Sequence, residues 1–142
     1  MVLEHAQYGS FLDLVKKVRL QIRQTRELFI QVAEALEFLH CKYIVHRDLK
    51  LDNVFISSND GILEVKLGDF GFASSCYNPD KSSLIQFNSF KGTKRGYMAP
   101  EIHQILDNPT QYYDARKSDI FALGVMLFAA IFGSLPFEYA TT

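Results

Sequence analysis

The stretch His46-Arg47-Asp48-Leu49-Lys50-Leu51-Asp52-Asn53 decides how this chain reads. It sets one carboxylate, Asp48, two residues before the ammonium of Lys50 and five before the amide of Asn53. Asp69-Phe70-Gly71 begins sixteen residues beyond Asn53, and Ala99-Pro100-Glu101 follows later. Five set residues (His, Arg, Asp, Lys, Asn) at average usage coincide by chance on the order of 10⁻⁷ per starting position. The first run is therefore a signal by itself, and the order of the later ones strengthens it.

The residues between the first two motifs predict a small hairpin. Asn53 to Ile56 reads as a strand, Asn59-Asp60-Gly61 as a tight turn, and Leu63, Val65 and Leu67 alternate as a second strand. Asn53 would then precede one strand and Asp69 follow the other, at the same end of the hairpin. Both carry hard oxygen donors of the type Mg²⁺ prefers.

In this order the motifs resemble the catalytic loop, the magnesium-holding turn and the end of the activation loop of the eukaryotic protein kinase family. The likeness runs from Val2 to Phe137, from the interlobe hinge into the helical lobe. It implies transfer of the γ-phosphate of ATP, with Mg²⁺, to a serine or threonine hydroxyl of a protein. Asp48 would be the catalytic base, and Lys50 would offset charge on the transferring phosphate. Asn53 and Asp69 would hold the ions on the nucleotide phosphates. Backbone groups of Glu4 and Ala6, within the hinge-like Leu3-Glu4-His5-Ala6, would bond the adenine edge, with Phe55 under the ring.

The resemblance extends to regulation and substrate. His46 and Phe70 would stack in the core. Arg47 would pair with a phosphate on the activation loop, and Ser89, three residues before Gly92, is the candidate acceptor for an upstream activating kinase. Gly92-Thr93 resembles the floor of the peptide site, with Thr93 as the substrate-loop residue; Lys94-Arg95-Gly96 then makes the spacing to Tyr97 one residue longer than usual. Lys50 favours the serine/threonine class. Glu101 and Asp119 would organise the lobe, Asp119 by receiving backbone N–H bonds from the catalytic loop.

Bulk properties agree with a globular protein. The chain has 142 residues, 48% of them hydrophobic, and a net charge of −1, enough for one core and without the basic excess that draws nucleic acid. Met1 to Ser10 shows no secretory pattern, and the apolar run Ile120 to Phe132 is too short for a bilayer and reads as a buried helix. Cys41 and Cys76 show neither metal nor disulfide spacing. The expected location is the cytoplasm, with the nucleus as alternative.

Four helices are predicted. One covers Phe11 to Val18. A second is capped by Thr25 and runs to about His40 with Leu28, Val32, Ala35, Leu36 and Leu39 as its stripe. A third covers Ile102 to Leu106, and a fourth is capped by Ser118 or Asp119 and stopped by Gly133. Ser74 to Lys91, polar and broken by Pro79, reads as a mobile surface loop.

Neither a glycine-rich loop nor a strand lysine precedes the catalytic loop in these 142 residues. The expectation is a partial kinase domain over residues 1–142. Its fold class would be α+β, mainly α: the helical lobe with one small β-hairpin, without the N-terminal lobe, and inactive or nearly so by itself. Two other readings remain open. One is a non-catalytic scaffold. The other is a small-molecule phosphotransferase, against which Lys50, Asp69-Phe70-Gly71 and Ala99-Pro100-Glu101 argue.

Overall fold

A computed structural model describes residues 4–18, 20–80, 82–90, 92, 94–108, 110–138 and 140. Leu3 of the hinge-like segment and Thr93 of the substrate loop lie outside them. Four helices and two antiparallel strand pairs make up the described fold.

Helix α1 (Phe11–Lys17) opens on Ser10. The Ser10 hydroxyl accepts the Asp13 N–H at 3.1 Å, and the Asp13 carboxylate accepts the Ser10 N–H at 3.1 Å, which satisfies two otherwise orphaned donors. The Ser10 hydroxyl and N–H hold the Asp13 carboxyl below the usual carboxylate range. Helix α2 (Ile22–Cys41) buries Leu28, Val32 and Leu36 of the predicted stripe and adds Phe29, while Ala35 and Leu39 are half-buried. Its start differs from the prediction. Gln21 stands at the N-cap, its N–H bonded to Gln24 Oε1 at 3.0 Å. Thr25 lies buried inside the first turn, donating its hydroxyl back to Gln21 O at 3.2 Å. A threonine hydroxyl can serve a carbonyl one turn back as readily as it caps.

Strand β1 (Ile44–Val45) leads to the loop of residues 46–50 and the single-turn helix Leu51–Asn53. Strands β2 (Val54–Asn59) and β3 (Ile62–Leu67) form the predicted hairpin, the first strand starting one residue later and ending three residues later than expected. Asp60 and Gly61 both take positive φ, 50° and 82°, the combination that lets a two-residue turn follow the strand twist. Val54, Ile56, Val65 and Leu67 face the core formed with α1, α2 and α4.

The segment after Asp69-Phe70-Gly71 is less free than its composition implies. Strand β4 (Ser74–Ser75) pairs with β1, Cys76 N–H donates to Tyr43 O at 2.8 Å, and Cys76 is buried. Farther on, Phe87 and Tyr113 exchange backbone bonds of 3.1 and 2.9 Å. These ties, with Met98, Ala99, Ile102 and Ile105, build a second core. The expected surface loop is thus anchored at both ends.

Helix α3 (Pro100–Asp107) starts two residues before the predicted position, with proline in its first turn, where a missing N–H costs nothing. Helix α4 (Ala115–Phe132) also begins earlier. Asp114 is its N-cap, accepting the Arg116 N–H at 3.0 Å, so Ser118 and Asp119 are buried inside the helix and cap nothing. Gly133 closes it as predicted. The helix is buried only on the face of Ala122, Val125, Met126 and Ala129; Ile120, Phe128, Ile131 and Phe132 are exposed. The expectation of a wholly buried helix fails on that side. Among the described residues no helix is long and apolar enough to cross a membrane.

The two thiols differ in a checkable way. Burial raises the pKa of Cys76, whereas Cys41 is exposed. Since the thiolate is the reactive form, iodoacetamide is expected to label Cys41 at least ~10-fold faster in the folded chain. The difference should vanish in urea. Equal rates in the folded state would show that the β1–β4 region does not enclose Cys76.

Candidate active site

One carboxylate inside α4 holds the catalytic loop. Asp119 Oδ2 accepts the backbone N–H of His46 at 2.9 Å and Oδ1 accepts that of Arg47 at 2.9 Å. His40, in the last turn of α2, places Nε2 3.0 Å from Oδ2. Arg47 takes φ 68°, a left-handed conformation that costs a non-glycine residue about 1–3 kcal/mol. Hydrogen bonds to a charged acceptor contribute roughly 1.5–3 kcal/mol each, so the two loop bonds offset this strain.

His46 joins the loop to the hairpin. Its buried ring sets Nε2 3.0 Å from Gly68 O, while Nδ1 faces the Asp48 N–H at 3.3 Å. One neutral tautomer satisfies both contacts: Nε2–H donates to the carbonyl and Nδ1 accepts. The ring also lies 5.0 Å from that of Phe70, tilted by 48°. The expected pairing of His46 and Phe70 is present, and the histidine has a structural use on both nitrogens.

Asp48 follows at 2% side-chain exposure. Its Oδ2 accepts from Lys50 Nζ at 2.7 Å and from Asn53 Nδ2 at 2.9 Å, and Asn53 Nδ2 also bonds Asp48 O at 2.9 Å. Oδ1 is buried with no hydrogen-bond partner. An unpartnered buried carboxylate oxygen is costly, and here it leaves one acceptor ready for a hydroxyl. Lys50 supplies the compensating charge within the same loop.

The hairpin register pairs Val54 with Leu67, and Gly68 N–H donates to Asn53 O at 2.9 Å. Asn53 and Asp69 therefore stand at one end of the hairpin. The Asn53 amide nitrogen is spent on Asp48, which turns Oδ1 the other way. Asp69 is exposed at φ 56°, its Oδ1 accepting the Gly71 N–H at 3.3 Å. Among the described residues no group of three or more His, Cys, Asp or Glu is placed to hold a metal. Asp48, Asn53 and Asp69 are thus not a closed protein cage. Two oxygens at an open hairpin end are a donor set that suits Mg²⁺ shared with phosphate, since this ion keeps waters and takes few protein ligands in such sites.

The other candidates are spread around this centre. Glu4 is exposed and ion-paired with Lys66. The Ala6 carbonyl accepts the Gly9 N–H at 3.2 Å, so that group is engaged in a turn. Phe55 covers Gly68 so closely that a Cβ there would lie 2.5 Å from its ring. Arg47 Nη2 lies 3.4 Å from Ser89 O, and the guanidinium sits 4.7 Å from the centre of the Phe87 ring. Lys94, beside Thr93, bonds Asp52 at 3.0 Å.

Several supporting residues escaped sequence reasoning. His40 carried only a weak cue, a histidine at a helix C-terminus. Phe87 had no periodic neighbours, and Gly68 matters through a contact with Phe55 that spacing cannot reveal.

A family model described as protein kinase domain matches residues 1–142. The chain belongs to the protein kinase family. It is 37% identical over 141 residues to the serine/threonine-protein kinase chk1 of Schizosaccharomyces pombe, a match covering 99% of this chain and 26% of that protein. The chain thus spans about a quarter of that relative's length. Kinase membership implies ATP with Mg²⁺ and a protein substrate, and the relative is of the serine/threonine type.

Gly92 gives a direct probe of the kinase loop. It has φ 143°, and an added Cβ would stand 2.6 Å from the Arg47 carbonyl. Gly92→Ala is expected to destabilise the chain by about 1–3 kcal/mol in urea unfolding and to shift the amide resonances of Arg47 and Asp48. Gly61→Ala, with nothing within 4 Å, should leave those resonances in place. A silent Gly92→Ala would separate the two segments.

Proposed function

We propose that this chain supplies the catalytic and metal-binding half of an ATP-dependent serine/threonine protein kinase. The observation that carries the reading is Asp48: a buried carboxylate with one oxygen tied to Lys50 and Asn53 and the other unpartnered.

Asp48 Oδ1 would orient the substrate hydroxyl and take its proton as the oxygen attacks. Lys50 neutralises the carboxylate's field and faces the phosphate being transferred. Asn53 Oδ1 and the Asp69 carboxylate would hold Mg²⁺, which when bound neutralises charge on the nucleotide phosphates. Glu4, Ala6 and Phe55 would receive the adenine, and Thr93 the peptide backbone near the hydroxyl. Positioning dominates this chemistry, which explains why so many bonds serve the loop's shape.

Regulation would act through Arg47. Its guanidinium lies near the Ser89 carbonyl, so a phosphate placed on Ser89 by an upstream kinase would gain a charge-assisted partner. A second reading, a kinase-like scaffold, is favoured by one observation: the exposed apolar face of Ile120, Phe128, Ile131 and Phe132, a surface type that marks interaction sites.

The 142-residue polypeptide with ATP, Mg²⁺ and a serine-containing peptide is expected to show little or no turnover, because the lysine–glutamate pair that the kinase reaction needs is not among its motifs. A polypeptide with a glycine-rich loop and strand lysine preceding Glu4 should transfer phosphate. In it, Asp48→Asn should lower kcat by on the order of 10²–10⁴. Ordinary turnover by that Asp48→Asn variant would remove Asp48 from its assigned role.

A further inference from the structure

Both outer edges of the β2–β3 hairpin are bonded by groups from outside the sheet. In an antiparallel pair, alternate residues turn N–H and C=O away from the partner strand. On β2 these belong to Val54, Ile56 and Ser58, of which the last two are bonded from outside the sheet. Tyr8 N–H donates to Ile56 O at 3.1 Å, Ile56 N–H to Gly9 O at 2.9 Å, and Ser58 N–H to Gln7 Oε1 at 2.7 Å. On β3 one side chain does the equivalent. Gln31, from the middle of α2, donates Nε2–H to Leu63 O at 3.1 Å and accepts the Val65 N–H on Oε1 at 3.0 Å. Its primary amide stands in for the peptide of a third strand.

This matters because a two-stranded hairpin is marginal alone. Leu63, Val65 and Leu67 pack on the core, but apolar burial is non-directional. It sets how deep the hairpin sits but not its place along α2. The β2 bonds and the His46–Gly68 contact tie the hairpin to other segments, and the two bonds of opposite polarity at the Gln31 amide tie β3 to α2. Asn53 and Asp69 project from the end of the same strands, so their place relative to Asp48 depends on where the hairpin stops.

We propose that Gln31 is a positioning residue for the cation-binding end of the hairpin, fixing the strand that delivers Asp69. The proposal rests on the reading of Asn53 and Asp69 as Mg²⁺ ligands. Gln31 touches neither residue in any described bond and acts through β3.

The test uses two variants of the 142-residue chain. Gln31→Glu keeps the size and can still accept from Val65, but it turns an oxygen lone pair toward the Leu63 carbonyl. Gln31→Leu removes both bonds and keeps an apolar stem. Amide exchange is followed at Gly68, whose N–H bonds Asn53 O, with buried amides of α4 as reference. Binding is read with Mn²⁺ alone, by paramagnetic broadening of the Asn53 and Asp69 signals. Both variants are expected to exchange Gly68 at least ~10-fold faster and to need on the order of tenfold more Mn²⁺ for the same broadening, the size of effect that ligand-orienting residues show, while the α4 amides hold. Unchanged Gly68 exchange in both variants overturns the proposal. Faster exchange with an unchanged Mn²⁺ requirement reduces Gln31 to a structural edge cover and also overturns it. No broadening in the unsubstituted chain overturns the cation reading, and the positioning role with it, whatever Gly68 does.

Discussion

The arrangement depends first on where the Asp119 carboxylate is buried. Its two oxygens collect the N–H groups of His46 and Arg47 and the ring nitrogen of His40. A charge taken out of water is costly unless such donors surround it. The same donors gain by the bargain, because the loop backbone at Arg47 is held at positive φ and has no strand partner to fix it. The carboxylate and the strained loop therefore stabilise each other, and neither arrangement would persist without its counterpart. This also explains why an acidic residue is tolerated at a buried position in the second turn of α4, just before its apolar run.

A second joint carries that order to the hairpin. His46 accepts from the Asp48 N–H and donates to the Gly68 carbonyl, so one ring spans the catalytic loop and the turn before Asp69. Asn53 performs a similar service with its amide nitrogen, bonding Asp48 at both backbone and side chain. The consequence for Asp48 is a division of labour between its oxygens. Oδ2 is saturated by Lys50 and Asn53, and Oδ1 is left open. A carboxylate held on one side in this way has its other oxygen set in one direction, which would suit the orienting role proposed for Asp48.

The sequence disclosed what is local. Asp48, Lys50 and Asn53 lie within one turn of loop, so their mutual bonds follow from spacing, and alternation at Leu63, Val65 and Leu67 suffices to draw the hairpin. Helix starts were harder, because Thr25, Ser118 and Asp119 all have capping side chains yet are spent elsewhere: Thr25 on a carbonyl one turn back, Asp119 on the loop. Cap preference is a statement about unengaged side chains, and distant engagement leaves no trace in the neighbouring residues. The segment from Ser74 failed for a related reason. Its polar composition read as solvated, but its anchors are single long-range contacts, Cys76 with the earlier Tyr43 and Phe87 with the later Tyr113. Single long-range contacts have no period to detect. Gln31 was invisible for the same cause: a glutamine on a helix surface has no local mark of the strand it serves.

Arg47 shows how the unread contacts bear on function. Its backbone is committed to Asp119, but its guanidinium is held more lightly, over the Phe87 ring and near the Ser89 carbonyl at 3.4 Å. A cation over an aromatic ring contributes roughly 0.5–2 kcal/mol, less than a forked charge-assisted pair with a phosphate when both are sheltered. A phosphate on Ser89 would thus compete on favourable terms for a side chain already aimed at that residue's backbone. Phe87 would not be lost in the exchange, since its backbone bonds to Tyr113 are independent of the guanidinium. The segment after Asp69 can then keep its anchor while Arg47 changes partner. In the proposed regulation that separation would leave the Phe87–Tyr113 tie in place, and Gly92 already lies against the Arg47 carbonyl.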